Sequence, residues 1–212
     1  MKILLPRSRY LFVIVPLLLL CACTRDKRVK LTAVVEVDGV EYAGSVVNEY
    51  DCRRGGIFFG DTDGCNVRGD AGVIPLGPHG YAFLTMGYVR NASDVIPDSV
   101  AYGDTGGPSP TSWDVSLDYA PMLVRFSDIN NPGTVEQIDP RHPEKTPGFV
   151  FKSVRGEVTK QPMSTEAVSK YLPWLDRAKA EKWGDLYGQK YSDMSLADTV
   201  GAHLSATNFE RK

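Results

Sequence analysis

The feature that most constrains this chain is an alternation of apolar side chains on either side of Asp38-Gly39. Val29, Leu31, Ala33, Val35 and Val37 recur at every second position before the dipeptide, and Val40, Tyr42, Gly44 and Val46 resume the period after it. A period of two turns every other side chain to one face of a pleated strand, and Asp-Gly tolerates the positive φ that a two-residue turn demands. The segment therefore reads as a β-hairpin in which Val37 faces Val40, Val35 faces Tyr42 and Leu31 faces Val46. That register gathers the larger apolar side chains on one face, which further chain must cover.

Ahead of the hairpin, Lys2, Arg7 and Arg9 make a basic start, Leu11 to Leu20 is apolar apart from Pro16, and the small residues Cys21 and Ala22 precede Cys23. These are the three parts of a secretory signal. A helix that crosses a bilayer needs ~20 apolar residues, and this run is about half that. Leu20-Cys21-Ala22-Cys23 resembles the lipobox of bacterial lipoproteins, a large aliphatic and two small residues before a cysteine. Cys21 stands where Ala or Ser is usual, and it is not itself the modified residue because Leu20 before it is too large. The resemblance implies a signal peptide over 1–22 and a mature chain starting at Cys23, which carries a thioether-linked diacylglycerol and an N-acyl chain such as palmitate. One acyl chain binds membranes marginally, whereas two or three attach a protein permanently. The first partner implied is thus a lipid bilayer, through acylated Cys23, in the bacterial cell envelope with the domain facing the periplasm. Thr24 is not the aspartate that commonly retains lipoproteins at the inner membrane, so the outer membrane is favoured.

Charge narrows the partners further. The whole chain has 24 basic and 26 acidic side chains, and loss of Lys2, Arg7 and Arg9 with the signal leaves a net of -5. Residues 23–30 read as a lipidated basic tether, with Arg25, Lys27, Arg28 and Lys30 against Asp26, so the domain over 31–212 nets -8. That balance excludes nucleic acid, whose phosphates need a basic face. A domain of ~180 residues buries roughly 70% of its unfolded surface and has no need of a metal to fold.

Two cysteines remain once Cys21 is removed and Cys23 acylated. Cys52 and Cys65 in an exported domain are expected to form a disulfide, which in the chain-entropy model constrains the unfolded state by ~3 kcal/mol for a loop of this length. No histidine lies near either in sequence to activate a thiolate. Inside the loop, Ile57, Phe58 and Phe59 lie between Gly55-Gly56 and Gly60, with Arg53 and Arg54 beside them. Aromatic rings and arginines are enriched at interface hot spots, and ring closure lowers the entropic cost of binding, so these five residues are the candidate recognition surface. Three consecutive large apolar residues also suit a buried strand, which is the competing reading. Asp61-Thr62-Asp63-Gly64 begins like a calcium loop but lacks the third ligand, the correctly placed glycine and the distal glutamate, so no metal site is expected.

Further on, Val73, Ile74 and Leu76, a Gly77-Pro78-His79-Gly80 turn, then Tyr81, Phe83 and Thr85 predict a second strand pair, with the alternation broken through Gly87. Arg68-Gly69-Asp70 resembles the tripeptide of integrin-binding adhesins, but it sits beside a predicted strand and three residues recur by chance. Residues 91–120 shift to Ser, Asp, Gly and Pro, a long loop whose second half, with Trp113, Val115, Leu117 and Tyr119 alternating, rejoins the core.

The block from Pro121 to Pro140 resembles a motif of an uncharacterised proteobacterial protein family, P-x-L-V-x-F-x-D-I-x-x-P-x-T-V-E-x-x-D-P, with Leu172-Pro173-Trp174-Leu175 matching a downstream segment. The resemblance extends over most of the mature chain and imports no activity. Physically, Met122 to Phe126 is a short buried strand, and Asp128 with Asn130 to Gly133 forms a turn whose side chains bond their own backbone. Phe149, Phe151, Val154 and Val158 supply another strand. Ser164 or Thr165 can cap a helix through Leu172, Pro173 interrupts it, and Asp176 can cap a second carrying Ala178, Ala180 and Trp183. The fold expected is α+β, a mostly antiparallel β-sheet domain with C-terminal helices.

The chain lacks G-x-S-x-G, S-x-x-K, H-E-x-x-H, C-x-x-C and phosphate-loop patterns, and its three histidines, His79, His142 and His203, are far apart. No catalytic residue and no cofactor is assigned. The function expected is a non-catalytic envelope lipoprotein that binds a protein or cell-wall partner in the periplasm, in assembly or as an immunity protein. The alternative is a periplasmic hydrolase using the carboxylates of Asp128, Glu136 and Asp139.

Overall fold

In the computed structural model, which describes residues 26–53, 64–88, 111–118, 120–165, 168–176 and 208–211, the hairpin forms in the expected register. Strand β1 (Asp26–Val37) pairs antiparallel with β2 (Val40–Arg53), with Val37 opposite Val40, Val35 opposite Tyr42 and Leu31 opposite Val46. Asp38 at φ 50° and Gly39 at φ 83° make the mirror-image turn whose twist matches that of the flanking strands. Val29, Leu31, Ala33, Val35 and Val37 are all buried, whereas Val40, at the turn, is exposed.

Strand β1 begins at Asp26, inside the stretch read as a tether. Lys27, Arg28 and Lys30 belong to the sheet because Val29 and Leu31 between them are core residues. The next strands are β3 (Gly64–Asp70), β4 (Gly72–Pro75), β5 (Tyr81–Tyr88) and β6 (Ser112–Val115). They are followed by β7 (Pro121–Phe126), β8 (Val135–Gln137), β9 (Phe149–Val158) and β10 (Glu210–Arg211). All pairings are antiparallel, in a six-stranded sheet of order β10-β3-β2-β1-β9-β6 and a four-stranded sheet of order β4-β5-β7-β8. The expected turn at Gly77–His79 joins β4 to β5, and the pairing of β5 with β7 shifts register between Leu84 and Tyr88, around Gly87.

The two sheets enclose one apolar layer and the smaller sheet carries a second on its outer side. Inward-facing Val29, Leu31, Val35, Val46, Val154 and Phe151 of the large sheet meet Ile74, Ala82, Leu84 and Leu123 of the small one. The sheets approach closely at Gly44, where an added Cβ would overlap the Val73 carbonyl of β4. The alternate residues Phe83, Met122, Val124 and Phe126 face outward and are covered by Val168, Leu172, Trp174, Leu175 and Phe209. A strand buried on both faces reads as an unbroken apolar run, which is why Pro121 to Val124 contains no polar residue.

The chain is all-β, not the expected α+β with C-terminal helices: among the described residues no helix reaches seven residues. Ser164 caps nothing; its N–H donates to the Val47 carbonyl at 2.8 Å and its Oγ accepts from the Val47 N–H at 3.1 Å, continuing the edge of β2. Val168–Lys170 is a single 3-10 turn, Leu172 reaches the core from irregular chain, and Leu175 does so from the two helical residues, Leu175 and Asp176, that close this described stretch. The second helix expected, after Asp176, lies outside the described residues, as does the ambiguous stretch with Tyr187, Tyr191 and His203.

Candidate functional site

The described residues that bear on the expected site lie at one end of the six-stranded sheet. There β1 begins at Asp26 opposite Asp51, β2 ends at Arg53, and β3 starts at Gly64 opposite Arg53. The connection over 54–63 therefore has both of its roots at the end from which the chain leads back to Cys23. Arg54, Ile57, Phe58, Phe59 and Cys23 lie outside the described residues, as do Asp61 to Asp63 of the calcium-like stretch.

Cys52 and Cys65 stand directly opposite one another in the β2–β3 ladder. The turn fixes which pairs are hydrogen-bonded: Val37 and Val40 flank a two-residue loop and exchange both bonds, so the odd-numbered residues of β2 from Glu41 onward direct their N–H and C=O groups away from β1. Val47 shows that direction by bonding Ser164. Glu49, Asp51 and Arg53 thus form the hydrogen-bonded pairs with β3, and Cys52 with Cys65 is a non-hydrogen-bonded pair. Cα atoms in such pairs are ~4.5 Å apart, inside the ~4.4–6.8 Å range that a disulfide spans.

Next to this pair lies a charge ladder that the sequence reading missed. Arg28, Glu49 and Arg68 are consecutive cross-strand neighbours, and Glu49 accepts from the guanidiniums of both arginines. The hairpin register puts Arg28 opposite Glu49, so this half of the ladder was readable once Val37 was paired with Val40. Lys27, on the opposite face, lies with its ammonium 5.0 Å from the centre of the Trp113 ring, and burial pulls it below the ordinary lysine range. Arg68-Gly69-Asp70 offers no adhesive tripeptide surface: Asp70 is buried and faces Glu210 across the sheet.

The three carboxylates proposed for acid–base work are each engaged separately. Asp128 Oδ1 accepts from the Asn130 backbone N–H at 3.0 Å, in the expected self-bonded turn, where Asn131 Oδ1 likewise accepts from Gly133 N–H at 2.9 Å. Glu136 is ion-paired with Arg125 across the β7–β8 ladder, and Arg125 in turn packs over the Phe149 ring at 4.1 Å. Asp139 receives the Arg141 guanidinium on both oxygens, at 3.0 and 2.8 Å, and the Arg141 backbone N–H at 2.9 Å. Burial alone pushes the Asp139 carboxyl up, but the bonds and charge of Arg141, with His142 nearby, outweigh it and hold the group below the usual carboxylate range. His142 contacts Glu144 at 3.1 Å and His79 lies 3.7 Å from Asp38. Among the described residues no group of three or more His, Cys, Asp or Glu is placed to hold a metal.

The block resembling a family motif and its downstream segment meet in the outer apolar layer. Trp174 packs edge-on against Phe126 with ring centres 5.4 Å apart, and its Nε1–H donates to the Ile129 carbonyl at 2.9 Å. These residues fasten one part of the fold to another. Compared with family models, curated proteins and solved structures, the chain matches none.

Proposed function

We propose that this chain is an envelope lipoprotein, anchored through acylated Cys23, whose domain faces the periplasm at the outer membrane and binds a protein or cell-wall partner without catalysing a reaction. The observation that carries the reading is the register of Cys52 against Cys65, which suits a disulfide at the root of the connection holding Ile57, Phe58 and Phe59. A crosslink at the root limits the freedom of a binding loop before association and so lowers its entropic cost. The separate engagement of Asp128, Glu136 and Asp139 supports binding over the carboxylate hydrolase, because each charge is spent on its own turn or ion pair.

The anchor is tested by Cys23→Ser, which should leave an unprocessed or soluble species; ordinary processing and membrane fractionation of that variant would remove the lipoprotein reading. The loop is tested by Phe58→Ala and Phe59→Ala, which should leave the melting temperature nearly unchanged while reducing the yield of a crosslinked partner. Core rings would instead cost ~3 kcal/mol or more of stability each, and a melting temperature that drops accordingly in both variants removes the loop as the binding surface.

A further inference from the structure

We draw no further inference here: the strongest candidate, the groove along the β3 edge where β10 pairs with Gly69 and Asp70 and the Phe209 ring packs against Phe83, Phe126 and Trp174, is filled by the chain's own segment, and nothing in the structure shows a partner that would take its place.

Discussion

The two apolar layers on either side of the small sheet are built by different means. The layer between the sheets is largely aliphatic and comes from alternate positions of long paired strands, so each buried side chain is held by a ladder of backbone bonds. The outer layer is largely aromatic. Phe83, Phe126, Trp174 and Phe209 meet edge-on or tilted, with ring centres 5.4 to 6.3 Å apart, and half of these rings come from chain outside the two long sheets' central strands. Its backbone ties are few and specific, among them Ala71 N–H to Phe209 O at 2.7 Å and Trp174 Nε1–H to Ile129 O. The difference teaches that the sandwich has its own hydrogen-bonded frame, while the segments that cover it are held mainly by rings.

Trp174→Ala should give the largest loss, about 4 kcal/mol, because it removes a buried ring and strands the Ile129 carbonyl. If the outer layer depends on rings, the loss is local first: amide exchange at Ala71 rises well before exchange in β1 and β2. Simultaneous exchange of Ala71 and β1 at one free energy would erase the distinction between the layers. Leu31→Ala, in the inner layer, should cost about 3 kcal/mol and lower protection everywhere together, since Leu31 is paired on both sides, with Val46 and Gly156. A selective loss at Ala71 in that variant would place the weak point in the frame instead.

The same contrast governs what the sequence made legible. The hairpin, the β4 turn, β7 and the self-bonded Asp128 turn were readable because their signals are local: a period of two, Asp-Gly at positive φ, and side chains that bond two residues on. The segment from Ser164 to Leu172 reads as one helix because Val168 and Leu172 have helical spacing, yet a 3-10 turn and irregular chain bury the same residues once Ser164 is tied to Val47. Lys27, Arg28 and Lys30 read as part of a basic tether because charge is visible in a sequence and the strand pairing that orders it is not. The cysteines were legible as a pair, but their facing register required β3 to be placed. Asp128, Glu136 and Asp139 look like a cluster because they are close in sequence; in the fold each has its own partner, the Asn130 backbone N–H, Arg125 and Arg141.

The smallest expected effect lies where the chain leaves the inner layer. Ile138 is buried there, and Asp139 directly after it holds the turn to His142 through its backbone oxygen and carries Arg141 on its carboxylate. Asp139→Asn should cost about 1.5 kcal/mol near neutral pH, the lower range for hydrogen bonds to a charged group, because Arg141 is partly solvated. Since the folded group sits below its ordinary value, its contribution is fully present above the unfolded carboxylate range of ~3.9 and is lost as pH falls through the folded value. Melting temperatures of the two proteins should therefore differ by a constant amount from neutral pH down to about 5 and converge below about 4. A gap that persists into acid would show that the carboxylate charge is not what secures this turn, leaving the neutral backbone bond from His142 as its support.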